Sequence, residues 1–113
     1  MQYALVYSYD PTTATPADGE VQDWFALDAE LAEAGVSIHE AGFHPIEGAR
    51  VVTVRDGEVV EADAPTSGST VAGYYVVDVP DLASAVRLAA RIPTAKYGEV
   101  AVRQIVDMSA FEA

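Results

Sequence analysis

The chain has 113 residues, half hydrophobic and about a fifth charged, which is room for one core and a globular composition. Eighteen acids against six bases leave a net charge of −12, a field that repels phosphate backbones and anionic membrane surfaces, so neither a nucleic acid nor a membrane is expected as a partner. Cysteine is absent, which excludes disulfides, thiolate metal sites and cysteine nucleophiles.

The opening Met1 to Tyr7 has no positive n-region and its apolar run stops at Ser8. Neither a signal peptide nor a membrane span is expected there, and a cytoplasmic location follows as the default. Within Gln2 to Tyr9, Tyr3, Leu5, Tyr7 and Tyr9 alternate with Ala4, Val6 and Ser8, which reads as a strand. After a proline-containing loop, Val21, Trp24, Leu27, Leu31 and Ala34 recur at helical spacing, so a helix is expected from about Gly19 to Ala34, stopped by Gly35.

Val36 to Phe43 reads as a weaker strand with a bulge at Gly42. Ala49 to Arg55 is a β-branched strand, and Asp56-Gly57 before Glu58-Val59-Val60 signals a tight hairpin. Ala62 to Ala72 reads as a loop, and Gly73 to Val79 as the next strand. Asp81 is a good N-cap for a helix with Leu82, Ala85, Val86 and Ala89 on one stripe, ended by Pro93. Glu99 to Val106 is the last strand, followed by a frayed tail from Asp107.

This order predicts a single α+β domain over residues 1–113 with a ferredoxin-like βαββαβ pattern and an extra β-hairpin arm. Two helices cover one face of an antiparallel sheet, while both faces read as apolar: Tyr74 and Val76 alternate with Tyr75 and Val77. An uncovered apolar face implies a partner, so a homodimer through the helix-free face is expected.

Several polar residues sit where chemistry is conceivable. His39 and His44 are five apart, and a regular strand sends them to opposite faces, so no metal site is expected unless a bulge joins them. His44 still lies where a strand end meets a loop. Asp78 interrupts an apolar strand; it is a general base if burial raises its pKa, or a hydrogen-bond partner for the start of the second helix. Arg50, Arg55 and Arg103 are either an anion pocket or cross-strand partners for Glu58, Glu61 and Glu99. The tyrosines, Tyr7 and Tyr75 among them, either line a small-molecule pocket or pack the core and interface. No phosphate loop, nucleophile elbow or cofactor fingerprint occurs, and no cofactor is expected.

The stretches Ala49 to Gly57, Ala72-Gly73-Tyr74-Tyr75-Val76-Val77-Asp78-Val79-Pro80-Asp81-Leu82, Ala89 to Pro93 and Tyr97 to Arg103 resemble the YCII-related family, and within it the DGPF branch. The resemblance covers nearly the whole chain and implies a ferredoxin-like protomer pairing into a dimeric α/β barrel. Some YCII-like proteins are small-molecule enzymes, such as a dehydrochlorinase, that use a His–Asp pair. The histidine of that pair lies in the first helix, where this chain has Asp23 or Trp24, so only Asp78 is nominated by position. The branch's naming loop is altered to Asp63-Ala64-Pro65-Thr66. DGPF proteins are often encoded beside extracytoplasmic-function sigma factors, which makes a sigma factor a partner by family association alone.

The sequence therefore supports a small-molecule protein with a pocket in the dimeric barrel and lyase- or isomerase-type acid–base chemistry. Asp78 and His44 are the catalytic candidates, and Tyr7, Tyr75 and Arg103 the ligand-binding ones. The alternative is a non-catalytic regulatory or interaction protein.

Overall fold

The computed structural model describes residues 1–111. Strand β1 (Gln2–Tyr9) is followed by helix α1 (Glu20–Ala34), β2 (Ser37–Gly42), β3 (Arg50–Arg55), β4 (Glu58–Asp63), β5 (Thr70–Asp78), α2 (Leu82–Ala89) and β6 (Glu99–Gln104). The main sheet is antiparallel in the order β2-β5-β1-β6, the ferredoxin-like arrangement, while β3 and β4 form a separate two-stranded ribbon. Of the expected tail, a single 3-10 turn covers Met108–Phe111, and residues 112 and 113 lie outside the described residues.

Period-two alternation in β1 decides which face is buried. Tyr3, Leu5 and Tyr7 stand opposite Val77, Tyr75 and Gly73 of β5, and the residues of this set form the floor of the core. Leu27 and Leu31 of α1, Ala85 and Ala89 of α2, and Ile92 close it from above. On the opposite, helix-free face lie Ala4, Val6, Tyr74, Val76 and Ala101.

Several local expectations shift. The sheet-facing stripe of α1 runs Glu20, Trp24, Leu27, Leu31, whereas Val21 is 59% exposed. On α2, Ala85 and Ala89 are buried but Leu82 and Val86 are exposed, so Leu88 packs in their place. The irregularity in β2 falls between Ser37 and His39, not at Gly42, which pairs in register with Gly73. Strand β5 starts at Thr70, inside the expected loop, and β6 ends at Gln104.

The ribbon is the hairpin arm. Asp56 (φ 51°) and Gly57 (φ 79°) both take the positive φ that a type I′ turn requires. Arg50 bridges Glu61 at 2.8 Å and also Asp63, the cross-strand pairing considered for the arginines. Val51, Val52, Val54, Val59 and Val60 are all exposed. The arm makes no substantial contact with the main sheet. The radius of gyration is 16.3 Å, against about 13 Å for a compact chain of this length, so the arm projects.

The carboxylate serving the start of α2 is Asp81, which accepts from Ser84 N at 2.8 Å. Asp78 does not serve that helix; it accepts from the Met1 ammonium at 3.0 Å, an exposed pair. Accordingly Asp81→Ala lowers unfolding stability by about 1 kcal/mol, whereas Asp78→Ala changes it by less than about 0.5 kcal/mol. Urea titrations of the two variants measure both.

Candidate functional site

Three elements and an edge strand converge on one cavity of about 320 Å3, walled by Tyr7 of β1, Trp24 and Asp28 of α1, Glu40 of β2 and Tyr75 of β5. The rings form a continuous aromatic wall. Tyr7 and Trp24 have centroids 4.9 Å apart, while Trp24 and Tyr75 lie nearly parallel at 6.1 Å. Trp24 and Asp28 are one helical turn apart, so both project from the sheet-facing side of α1. Glu40 stands opposite Tyr75 in the sheet, on the helix-covered face, and His39 therefore points to the other face, beside Tyr74.

Backbone geometry admits the Tyr7 ring. A Cβ at Gly73 would lie 2.2 Å from Tyr7 Oη and 2.4 Å from the Ala41 carbonyl oxygen, so only glycine leaves room. The ring of Trp24 is held by its indole nitrogen, which donates to Glu20 at 3.3 Å. Glu20, buried in the first turn of α1, also accepts from Tyr97 Oη at 3.1 Å. That acid replaces an apolar residue on the stripe because two donors converge on it.

The polar groups of the cavity are interlinked. Tyr75 Oη donates to Asp28, and Tyr7 Oη makes a long 3.5 Å contact to the Ala41 carbonyl. Burial, and then the charge of Asp28 against it, push the Glu40 carboxyl above the usual carboxylate range. The Tyr75 phenol is pushed well up, first by burial and then by its bond to Asp28. Burial, with help from Asp28, Glu40 and Tyr97, pushes Tyr7 up to about 12.

The sign of the alkaline response follows. The fold favours the neutral Tyr7 phenol, so its contribution is whole below the ordinary pKa of 10.0 and is lost as pH rises through about 12. The denaturation midpoint falls across that window, and Tyr7→Phe makes the fall shallower; urea titrations from pH 9 to 12 check this.

Tyr7 and Tyr75 thus share one cavity, but the other sequence candidates lie elsewhere. Asp78 is exposed at the end of β5, lining a groove of about 710 Å3 between Met1 and residues 104–109. Its strand parity is that of the helix-free face, so it does not enter the helix-covered core. His44 is exposed beyond β2, beside a cleft of about 120 Å3 with Phe43 and Pro45. Arg103 is exposed on the helix-free face, opposite Ala4. These three meet neither each other nor the tyrosines. No cluster of His, Asp and Glu suited to a metal occurs among the described residues.

Trp24, Asp28 and Glu40 are the residues that sequence reasoning missed as a site. One signal was available: Asp28 follows Trp24 by four on the buried side of an amphipathic helix, where an acid needs a reason. Glu40 carried none, because its parity depends on the irregularity at Ser37/His39.

The fold and the ring-walled cavity define a ferredoxin-like α+β protein with a small aromatic-walled cleft between helix and sheet. A model of the YCII-related domain matches residues 1–109, so the chain belongs to the YCII-related family. No curated protein matches it. No helix among the described residues is long and apolar enough to cross a membrane.

Proposed function

We propose that this protein binds a small organic molecule in the cavity between α1 and the sheet and moves a proton on it, with Asp28 and Glu40 as the acid–base pair. One observation carries the reading: two carboxyl groups meet on the wall of a ring-lined cavity, where burial and then the nearness of Asp28 raise the Glu40 carboxyl above the usual carboxylate range. Tyr75 fixes Asp28 by hydrogen bonding, so the carboxylate that exchanges the proton has a set orientation. This is lyase- or isomerase-type chemistry, relocated from Asp78 and His44 to a different pair.

Deuterium incorporation at carbon, followed by NMR in D2O over a panel of small organic acids, phenols, ketones and amines, tests it. Exchange catalysed by the wild type falls about 100-fold in Glu40→Gln and is unchanged in Asp78→Ala. Equal rates in wild type and Glu40→Gln would overturn the assignment.

We further assign a second copy of this chain to the helix-free face. A lone two-stranded ribbon is marginal in water, and this one exposes valine on both sides, next to a sheet whose uncovered face carries Val6, Tyr74 and Val76. The same surfaces favour the alternative reading as an interaction protein. Sedimentation equilibrium of wild type and Val76→Glu separates a dimer through this face from a monomer. On the Gly73 to Leu82 stretch we place the chain in the DGPF branch. Its altered loop is no part of the cavity, since Asp63 pairs with Arg50 in the arm.

A further inference from the structure

The donor and acceptor inventory of the cavity is one-sided. Its three side-chain donors are already engaged: Tyr75 Oη with Asp28, Trp24 Nε1 with Glu20, and Tyr7 Oη with the Ala41 carbonyl. What remains toward the cavity is the oxygen atoms of Asp28 and Glu40 and the π-faces of the aromatic wall. No lysine, arginine or histidine lines it. The neighbouring histidine, His39, faces Tyr74 across the other side of the sheet.

A carboxylate or phosphate ligand would meet two carboxyl groups and no cationic side chain to compensate its charge. An ammonium group has the opposite chemistry: donors in every direction, a charge that compensates the acidic pair, and attraction to aromatic faces. Through the −12 field of the whole chain, cations also approach the mouth at raised local concentration. At about 320 Å3 the cavity is at the lower end of the usual range for ligand sites, so the ligand is small.

We infer that the cavity's ligand is a small organic cation, an amine whose ammonium group sits against Asp28 and Glu40 while its carbon skeleton lies on Tyr7, Trp24 and Tyr75. This rests on the reading of the same cavity as the ligand site, and gives that reading a substrate class.

Trp24 is the chain's single tryptophan, so emission excited on the red edge of the absorption band, where tyrosine does not absorb, reports this cavity. Benzylammonium chloride, benzyl alcohol and sodium benzoate, titrated at fixed ionic strength, differ mainly in charge. The expected result is a saturable change in Trp24 emission with benzylammonium, at least about ten-fold weaker with benzyl alcohol and absent with benzoate. Glu40→Gln, an exposed edge-strand change that spares the core, weakens benzylammonium about ten-fold; Asp28→Asn does the same while keeping an acceptor for Tyr75. Asp78→Asn, which removes the same net charge far from the cavity, leaves the affinity within about two-fold. If benzyl alcohol or benzoate binds as tightly as benzylammonium and Glu40→Gln has no effect, the cation assignment is overturned while the cavity stands as a ligand site. No saturable response to any of the three would overturn both.

Discussion

Gly73→Ala is expected to cost about 3 kcal/mol, at the upper end of what overpacking usually costs, and to lower the melting temperature by roughly 10–15 °C. The reason is local and geometric. The new methyl would lie 2.2 Å from Tyr7 Oη and 2.4 Å from the backbone oxygen of Ala41, and backbone cannot swing aside as a long side chain can. Either the Tyr7 ring leaves its place or β2 is levered off β5 at the Gly42–Gly73 pair. Both routes spoil the aromatic wall as well as the sheet. Calorimetry gives the stability loss. The emission of Trp24, 4.9 Å from Tyr7, shows whether the cavity changed with it.

Leu5→Ala is the second large effect, a loss of about 2–5 kcal/mol. Leu5 is 1% exposed at the centre of the sheet, paired with Tyr75 on one side and Val102 on the other. Its removal leaves a void among strands that pair on both flanks, so little can collapse into it. A loss below about 1 kcal/mol in guanidinium titrations would mean that the centre of this core is not packed as described. Tyr75 lies beside that void, so the variant should also loosen its hold on Asp28. Comparing Leu5→Ala with Leu5→Ile separates lost volume from altered shape.

How far the sequence reveals this molecule depends on the range of the interaction concerned. The alternation of Tyr3, Leu5 and Tyr7, the Asp56-Gly57 turn and the Asp81 cap are decided within a few residues, and all three take the form their local chemistry dictates. The β2 irregularity is different. It depends on how Ser37 and His39 meet β5, and no residue type there announces it. The start of β5 at Thr70 likewise reflects pairing with Tyr9 across the sheet, which overrides the turn-like Ser67-Gly68-Ser69 before it.

The site follows the same division. Tyr7 and Tyr75 were recognisable as amphipathic residues on a buried parity. Asp28 and Glu40 come together only because α1 returns the chain to β2; Asp28 is marked by its place on the buried side of the helix, whereas Glu40 is not unusual on its own. Asp78 drew notice as an acid in an apolar strand, but that oddity is resolved by its place at the strand's end, on the helix-free side, against the Met1 ammonium. Charge within an apolar stretch was therefore a weaker guide than charge on the buried side of a helix.

The projecting ribbon has a consequence for the order in which parts of the molecule open. Its hydrogen bonds are supported by its own two strands and the Arg50 bridge, not by the core that Leu5 and Ile92 anchor. In an isolated protomer, the amides of Val51 to Val60 exchange with deuterium through local opening, while those of β1 and β5 wait for global unfolding. The gap between these two exchange rates is a gauge of assembly. Whatever covers the valines narrows it, and a concentration series read by mass spectrometry would register the covering without altering a single residue.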